Sequence, residues 1–150
     1  MMRYLPLVVA ALTIGLSHSG RAADAAQLEQ NKKTVAAFYD AALNKKDFAE
    51  ASKYLGSQYR QHNPGAKDGP EGLKGFVGFL KEKFPNSKSE IKRIFADGDF
   101  VVVHVHAVRE PGTRGSAIID IFRLDNGKVV EHWDVVQPIP ETAQNDNGMF

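Results

Sequence analysis

The chain contains no cysteine. A disulfide framework, a thiolate nucleophile and a thiolate metal site are therefore excluded. Neither sign of charge is in excess: with 25% charged residues and a formal net charge of +1, the chain carries no footprint for nucleic acid or for a strongly acidic partner. No G-x-S-x-G occurs, so a serine nucleophile has no supporting motif. The apolar run from Leu5 to Leu16 is too short to span a bilayer comfortably. Internal repeats and interdomain linkers are also missing. What is present is a 150-residue chain, 43% hydrophobic, with the composition of one soluble domain.

The short apolar run has a different reading. It follows Arg3 and precedes the small residues of GRAADAA, which gives the charged, apolar and cleavage regions of a secretory signal, with Ala23-Asp24-Ala25 as a candidate site. The expected division is residues 1–25 as signal peptide, 26–138 as the folded domain and 139–150 as a flexible C-terminal tail. The mature protein is expected to be exported, periplasmic or secreted, with no stable membrane insertion after processing.

Apolar residues at helical spacing (Leu28, Val35, Phe38, Tyr39, Ala42, Leu43) predict a first helix from Gln27 to Leu43. Phe38 and Tyr39 are read as core residues that at most roof a pocket. Asp47 offers an N-cap with Glu50 three residues later, opening a short second helix that Gly56 stops. The segment SQYRQHNPGAKDGPEG is extended and rich in breakers; His62 ends its strand-like piece and is a candidate base. A third helix then carries Leu73, Phe76, Val77, Leu80 and Phe84 on one face until Pro85.

The remainder alternates. After SEIKRIF and an Asp97-Gly98 turn come FVVVHVHAV, SAIIDIFRL and KVVEHWDVV, separated by REPGTRG and DNG, the pattern of an antiparallel meander. Helices first and strands after predict an α+β fold with helices on one face of a curved sheet. A symmetric REPGTRG loop would set His104 opposite Asp120 and His106 opposite Ile118. A three-residue DNG turn would add His132 opposite Asp120 and Asp134 opposite Ile118, whereas a two-residue Asn126-Gly127 turn would bring Glu131 and Trp133 there instead. Val101, Val103, Val105, Ile119 and Ile121 would then form an apolar outer face, needing a cover. A half-solvated sheet also carries polar residues on one side. Phe100, Val102, Ile118, Phe122 and Val130 on the same face favour the mixed lining of a small-molecule pocket.

YRQHNP followed by DGPEGL, with SAIIDIFRLDNGKVVEHWDVVQ near the end, resembles the SnoaL-like polyketide cyclase family of the nuclear transport factor 2-like superfamily. The resemblance covers roughly Gln27 to Pro138. It implies a cone-shaped α+β fold, an apolar pocket for a small-molecule ligand or substrate, no cofactor, and a homodimer formed through the sheet. It further implies an acid/base aspartate at Asp120 with a histidine partner at His106, His104 competing from the neighbouring strand. The pocket residues expected are Tyr59, Ile118, Phe122, His132, Trp133 and Asp134. The activity implied is acid/base chemistry on a small carbonyl compound: cyclisation, condensation or isomerisation. A non-catalytic binding module would use the same pocket. Gly98, His104, His106 and Glu110 also match half of a cupin metal motif, but the three preceding helices and the missing second half speak against it, and no metal site is expected.

Overall fold

The computed structural model describes residues 19–150. The signal-like run lies outside these residues. Among the described residues no helix is long and apolar enough to cross a membrane.

Helix α1 spans Ser19–Tyr39, beginning ahead of the expected Gln27. It continues into a π-helical turn, Asp40–Asn44, where Lys45 N–H reaches Asp40 O at 2.8 Å. This wider turn lets Phe38, Tyr39, Ala41 and Ala42 all face the core. Asp47 caps α2 (Phe48–Ser52) by accepting from Glu50 N–H at 3.0 Å. Strand β1 (Leu55–Gln61) and helix α3 (Gly69–Lys83) follow, the latter with Pro70 in its first turn and Leu73, Val77 and Leu80 buried.

Strands β2 (Lys88–Asp97), β3 (Phe100–Val108), β4 (Ser116–Asp125) and β5 (Lys128–Pro138) complete a five-stranded sheet of order β1-β5-β4-β3-β2. The meander is antiparallel, while β1 joins β5 in parallel at the far edge. The α+β expectation therefore holds, with one parallel pair added.

The register between β3 and β4 differs from the symmetric loop. His104 pairs with Ile119 and His106 with Ala117, and Val103 stands opposite Asp120. That single-residue slip exchanges the faces of β3. Val101, Val103 and Val105 turn inward and are fully buried with Phe122 in the core, while His104 and His106 turn outward. The physical cause is the loop: Gly115, at φ 75°, packs so closely on Ala107 O that a Cβ would lie 2.2 Å from it, and this shifts the closure by one residue.

The β4–β5 connection combines features of both expectations. The turn is the two-residue Asn126-Gly127, with both φ positive (49° and 72°). A bulge at Val130 then adds one residue to β5. Turn and bulge together return His132 and Asp134 to the face of Asp120, with Asp134 directly opposite Asp120 and His132 opposite Phe122.

Residues 139–150 have no helix or strand. Phe150 nonetheless rests on the outer face, its ring 5.2 Å from that of His104 and 4.7 Å from that of His106.

Candidate functional site

Between α1, α3 and the inner sheet face lies a cavity of about 910 Å³, within the range that small-molecule sites occupy. Phe38, Leu73, Phe76, Leu80 and Ile118 supply apolar wall, and Tyr39, Tyr59, Gln61, Asn63, Asp120, His132 and Asp134 supply polar atoms. Strand alternation explains both sets. Tyr59, Gln61 and Asn63 are spaced by two along β1 and its continuation, and His132, Asp134 and Val136 by two along β5.

Asp120 is the centre of the polar set. Its Oδ1 lies 3.0 Å from His132 Nε2, and its Oδ2 accepts a hydrogen bond from the Tyr39 hydroxyl at 3.0 Å. Burial pushes the carboxyl above its ordinary range, while the contacts with His132 and Tyr39 pull the other way. Burial, reinforced by Asp120, raises the Tyr39 hydroxyl well above its usual value, and burial likewise raises Tyr59. Both phenols therefore remain donors at neutral pH. His132 Nδ1 faces Gln61 Oε1 at 2.9 Å, and Asn63 Nδ2 donates to both oxygens of Asp134 at 2.7 and 2.8 Å.

Of the expected site residues, Asp120, Tyr59, Ile118, Phe122, His132 and Asp134 line this cavity. His104 and His106 stand on the opposite face and do not reach Asp120. Arg93 donates to His104 Nδ1 at 3.1 Å, and His106 Nε2 donates to Arg114 O at 2.8 Å. The histidine facing Asp120 is His132. His62 and Trp133 also fall outside the cavity, stacked on one another at 4.6 Å with planes 6° apart. His62 Nε2 contacts Glu131 Oε1 at 2.8 Å, and Arg123 Nε donates to Glu131 Oε2 at 2.8 Å. Nothing in the residue types of Gln61, Asn63 and Tyr39 marks them for chemistry in the sequence. The period-two spacing of Tyr59, Gln61 and Asn63 within YRQHNP was the available signal.

Among the described residues, the acidic and histidine side chains that converge are Asp120, His132 and Asp134, their ligand atoms within 4.8 Å of one another. The cupin-like set of His104, His106 and Glu110 is not brought together. An ion between Asp120, His132 and Asp134 would have to replace the hydrogen of the 3.0 Å Asp120–His132 contact, while the bonds to Gln61, Tyr39 and Asn63 could stay as outer partners of those side chains.

Residues 35–132 match the SnoaL-like domain. The chain belongs to that family, within the nuclear transport factor 2-like superfamily. Among curated proteins none matches. Solved structures share the fold. A putative polyketide cyclase from Acidithiobacillus ferrooxidans is 22% identical with a TM-score of 0.61, over 71% of this chain and 87% of that one. IdmH, a putative polyketide cyclase from Streptomyces antibioticus, is 22% identical with a TM-score of 0.59, over 71% and 91%. An LEH-like epoxide hydrolase from M. tuberculosis is 20% identical with a TM-score of 0.61, over 74% and 85%. For this SnoaL-like chain, such likenesses establish architecture, and its chemistry has to be argued from its own cavity.

Proposed function

We propose that the protein is an acid/base catalyst acting on a small carbonyl compound, with Asp120 and His132 as the proton-transferring pair. The observation that carries this reading is a buried carboxyl of raised pKa at the wall of a largely apolar cavity, in contact with a histidine and a tyrosine. An apolar cavity desolvates a carbonyl ligand, and the Tyr59 hydroxyl lies beside the pair to hold its oxygen. Enolisation followed by carbon–carbon bond formation or reprotonation is the reaction class, covering cyclisation, condensation and isomerisation.

Activated carbonyl compounds screened against wild type and Asp120→Asn test it. The variant should lose about 10²- to 10⁴-fold in turnover while retaining ligand binding. Wild-type rates in the variant would remove Asp120 from the reaction. A non-catalytic binding module is the second reading, favoured by the fact that the described buried polar side-chain atoms already have partners; it predicts ligand-dependent stabilisation with no turnover in wild type.

Export to the periplasm or exterior is part of the same proposal, supported by the Arg3, Leu5–Leu16 and Ala23-Asp24-Ala25 pattern. So is a homodimer through the outer sheet face, where Phe95, Phe100, Ile119 and Val135 are 60%, 43%, 40% and 72% exposed.

A further inference from the structure

The polar side chains of the cavity form one chain of contacts whose hydrogens can be counted. Gln61 Oε1 accepts from the backbone N–H of Asn63 at 2.9 Å, and Gln61 Nε2 donates to the Tyr59 hydroxyl at 3.3 Å. A backbone N–H can only donate, so this contact decides the orientation of the amide: turned over, Gln61 would set its NH₂ against the Asn63 N–H. The atom facing His132 Nδ1 at 2.9 Å is therefore an acceptor, and Nδ1 must carry hydrogen. At the other end, the Tyr39 hydroxyl donates to Asp120 Oδ2. Between these fixed ends lies the 3.0 Å contact of His132 Nε2 with Asp120 Oδ1. Without a hydrogen there, an imidazole lone pair would face a carboxylate oxygen in a buried place, where such an opposition is costly.

We propose that Gln61 is a positioning residue that fixes His132 in the form protonated at Nδ1, and so obliges the Asp120–His132 pair to hold one transferable proton in its resting state. Its consequence for chemistry rests on the acid/base reading above, whereas the tautomer itself does not. The groups facing the pair are Tyr39 on α1, Tyr59 on β1, Asp134 on β5 and, at longer range, Arg109 beyond β3. From α3 and β3 the neighbours are uncharged, Leu73 and Val103. Both phenols keep their protons, so near neutral pH the exchangeable hydrogen belongs to the pair.

The order of steps follows. A pair that rests protonated acts first as an acid: its hydrogen moves to the carbonyl oxygen of the ligand, an O–H bond forming as the bond to Nε2 or Oδ1 breaks. The pair, now neutral imidazole beside carboxylate, takes a proton from the carbon next to the carbonyl. The C–H electron pair becomes the C=C bond of an enol, the carbonyl π pair has become the O–H bond, and the Asp120–His132 proton is restored. No oxidant, reductant or further reactant enters.

The experiment is ¹⁵N NMR of histidine-labelled protein across pH, without ligand, on wild type, Gln61→Met and Gln61→Glu. In wild type, His132 Nδ1 should carry hydrogen on both sides of the titration, with Nε2 alone changing. Gln61→Met removes the acceptor but not the volume. His132 can then lose its Nδ1 hydrogen while Nε2–H still donates to Asp120, so the transition should fall by about one pH unit, the equivalent of one hydrogen bond. Gln61→Glu keeps an acceptor and should keep the wild-type tautomer. An Nε2–H tautomer of neutral His132 in wild type would overturn the proposal, as would a Gln61→Met protein with unchanged tautomer and midpoint. If the methionine variant does not fold, the wild-type and Gln61→Glu spectra decide the matter. The expected tautomer in a protein that turns over no carbonyl substrate would support the Gln61 assignment and sink the acid/base function separately.

Discussion

The Asp120→Asn substitution mimics the protonated carboxyl rather than the ionised one. Its Nδ2 can donate to His132 Nε2 and its Oδ1 can accept from the Tyr39 hydroxyl, the two contacts Asp120 makes now. Stability should change by less than about 1 kcal/mol, because no buried polar group loses its partner. Asp120→Ala leaves Tyr39 and His132 unpaired and should cost about 1–3 kcal/mol for each. Thermal melts of the two variants side by side check this, and equal losses would argue that Asp120 rests ionised. The Glu131 carboxyl is shifted in the opposite direction from that of Asp120. Its contact with His62, then that with Arg123, holds its carboxyl below the usual 4.5. A depressed acid adds stability that is present above the unfolded value and lost as pH falls through the folded one. Melting temperature should therefore drop as the solution is acidified below about pH 4.5, and Glu131→Gln should flatten that drop.

At the scale of single elements, the bulge in β5 depends on a glycine across the strand pair. A Cβ on Gly56 would lie 2.5 Å from Val130 Cγ1, so Gly56→Ala should push on the bulge and destabilise by about 1–3 kcal/mol. Val130→Ala in the same chain should recover part of that loss; strict additivity in a urea double-mutant cycle would deny the contact. The bulge also marks what periodicity could and could not convey. Alternation within each strand was legible: Val101, Val103 and Val105 do share one face, and so do Asp120 and Phe122. Helix α3 with Pro70 at its start and the Asp47 cap were legible from local chemistry. The relation between strands was not, because it depends on whether a connection adds an odd or an even residue. Gly115 and Val130 decide that through backbone geometry their residue types do not announce. His104 and His106 consequently changed sides, and His132 reached the face of Asp120 by a two-residue turn plus a bulge, not by the three-residue turn.

For the molecule as a whole, the outer sheet face sets the expected assembly. Val135→Lys with Ile119→Lys, at positions exposed in the single chain, should keep the folded circular dichroism spectrum, convert a dimer to a monomer by light scattering and remove the concentration dependence that assembly gives the melting temperature; a wild type monomeric at micromolar concentration would refute the dimer. A second whole-molecule consequence follows from the parallel seam of β1 on β5. Gln61, His62 and Asn63 meet His132, Glu131 and Asp134 across 71, 69 and 71 positions of chain. Closing so long a loop costs entropy before any contact repays it. The cavity's polar wall is therefore expected among the last contacts to form, when the last strand docks on the first. Trp133, the sole tryptophan, lies stacked on His62 across that same seam. Its fluorescence during refolding should change with the final kinetic phase, after far-ultraviolet circular dichroism has reported the helices, making assembly of the site directly timeable.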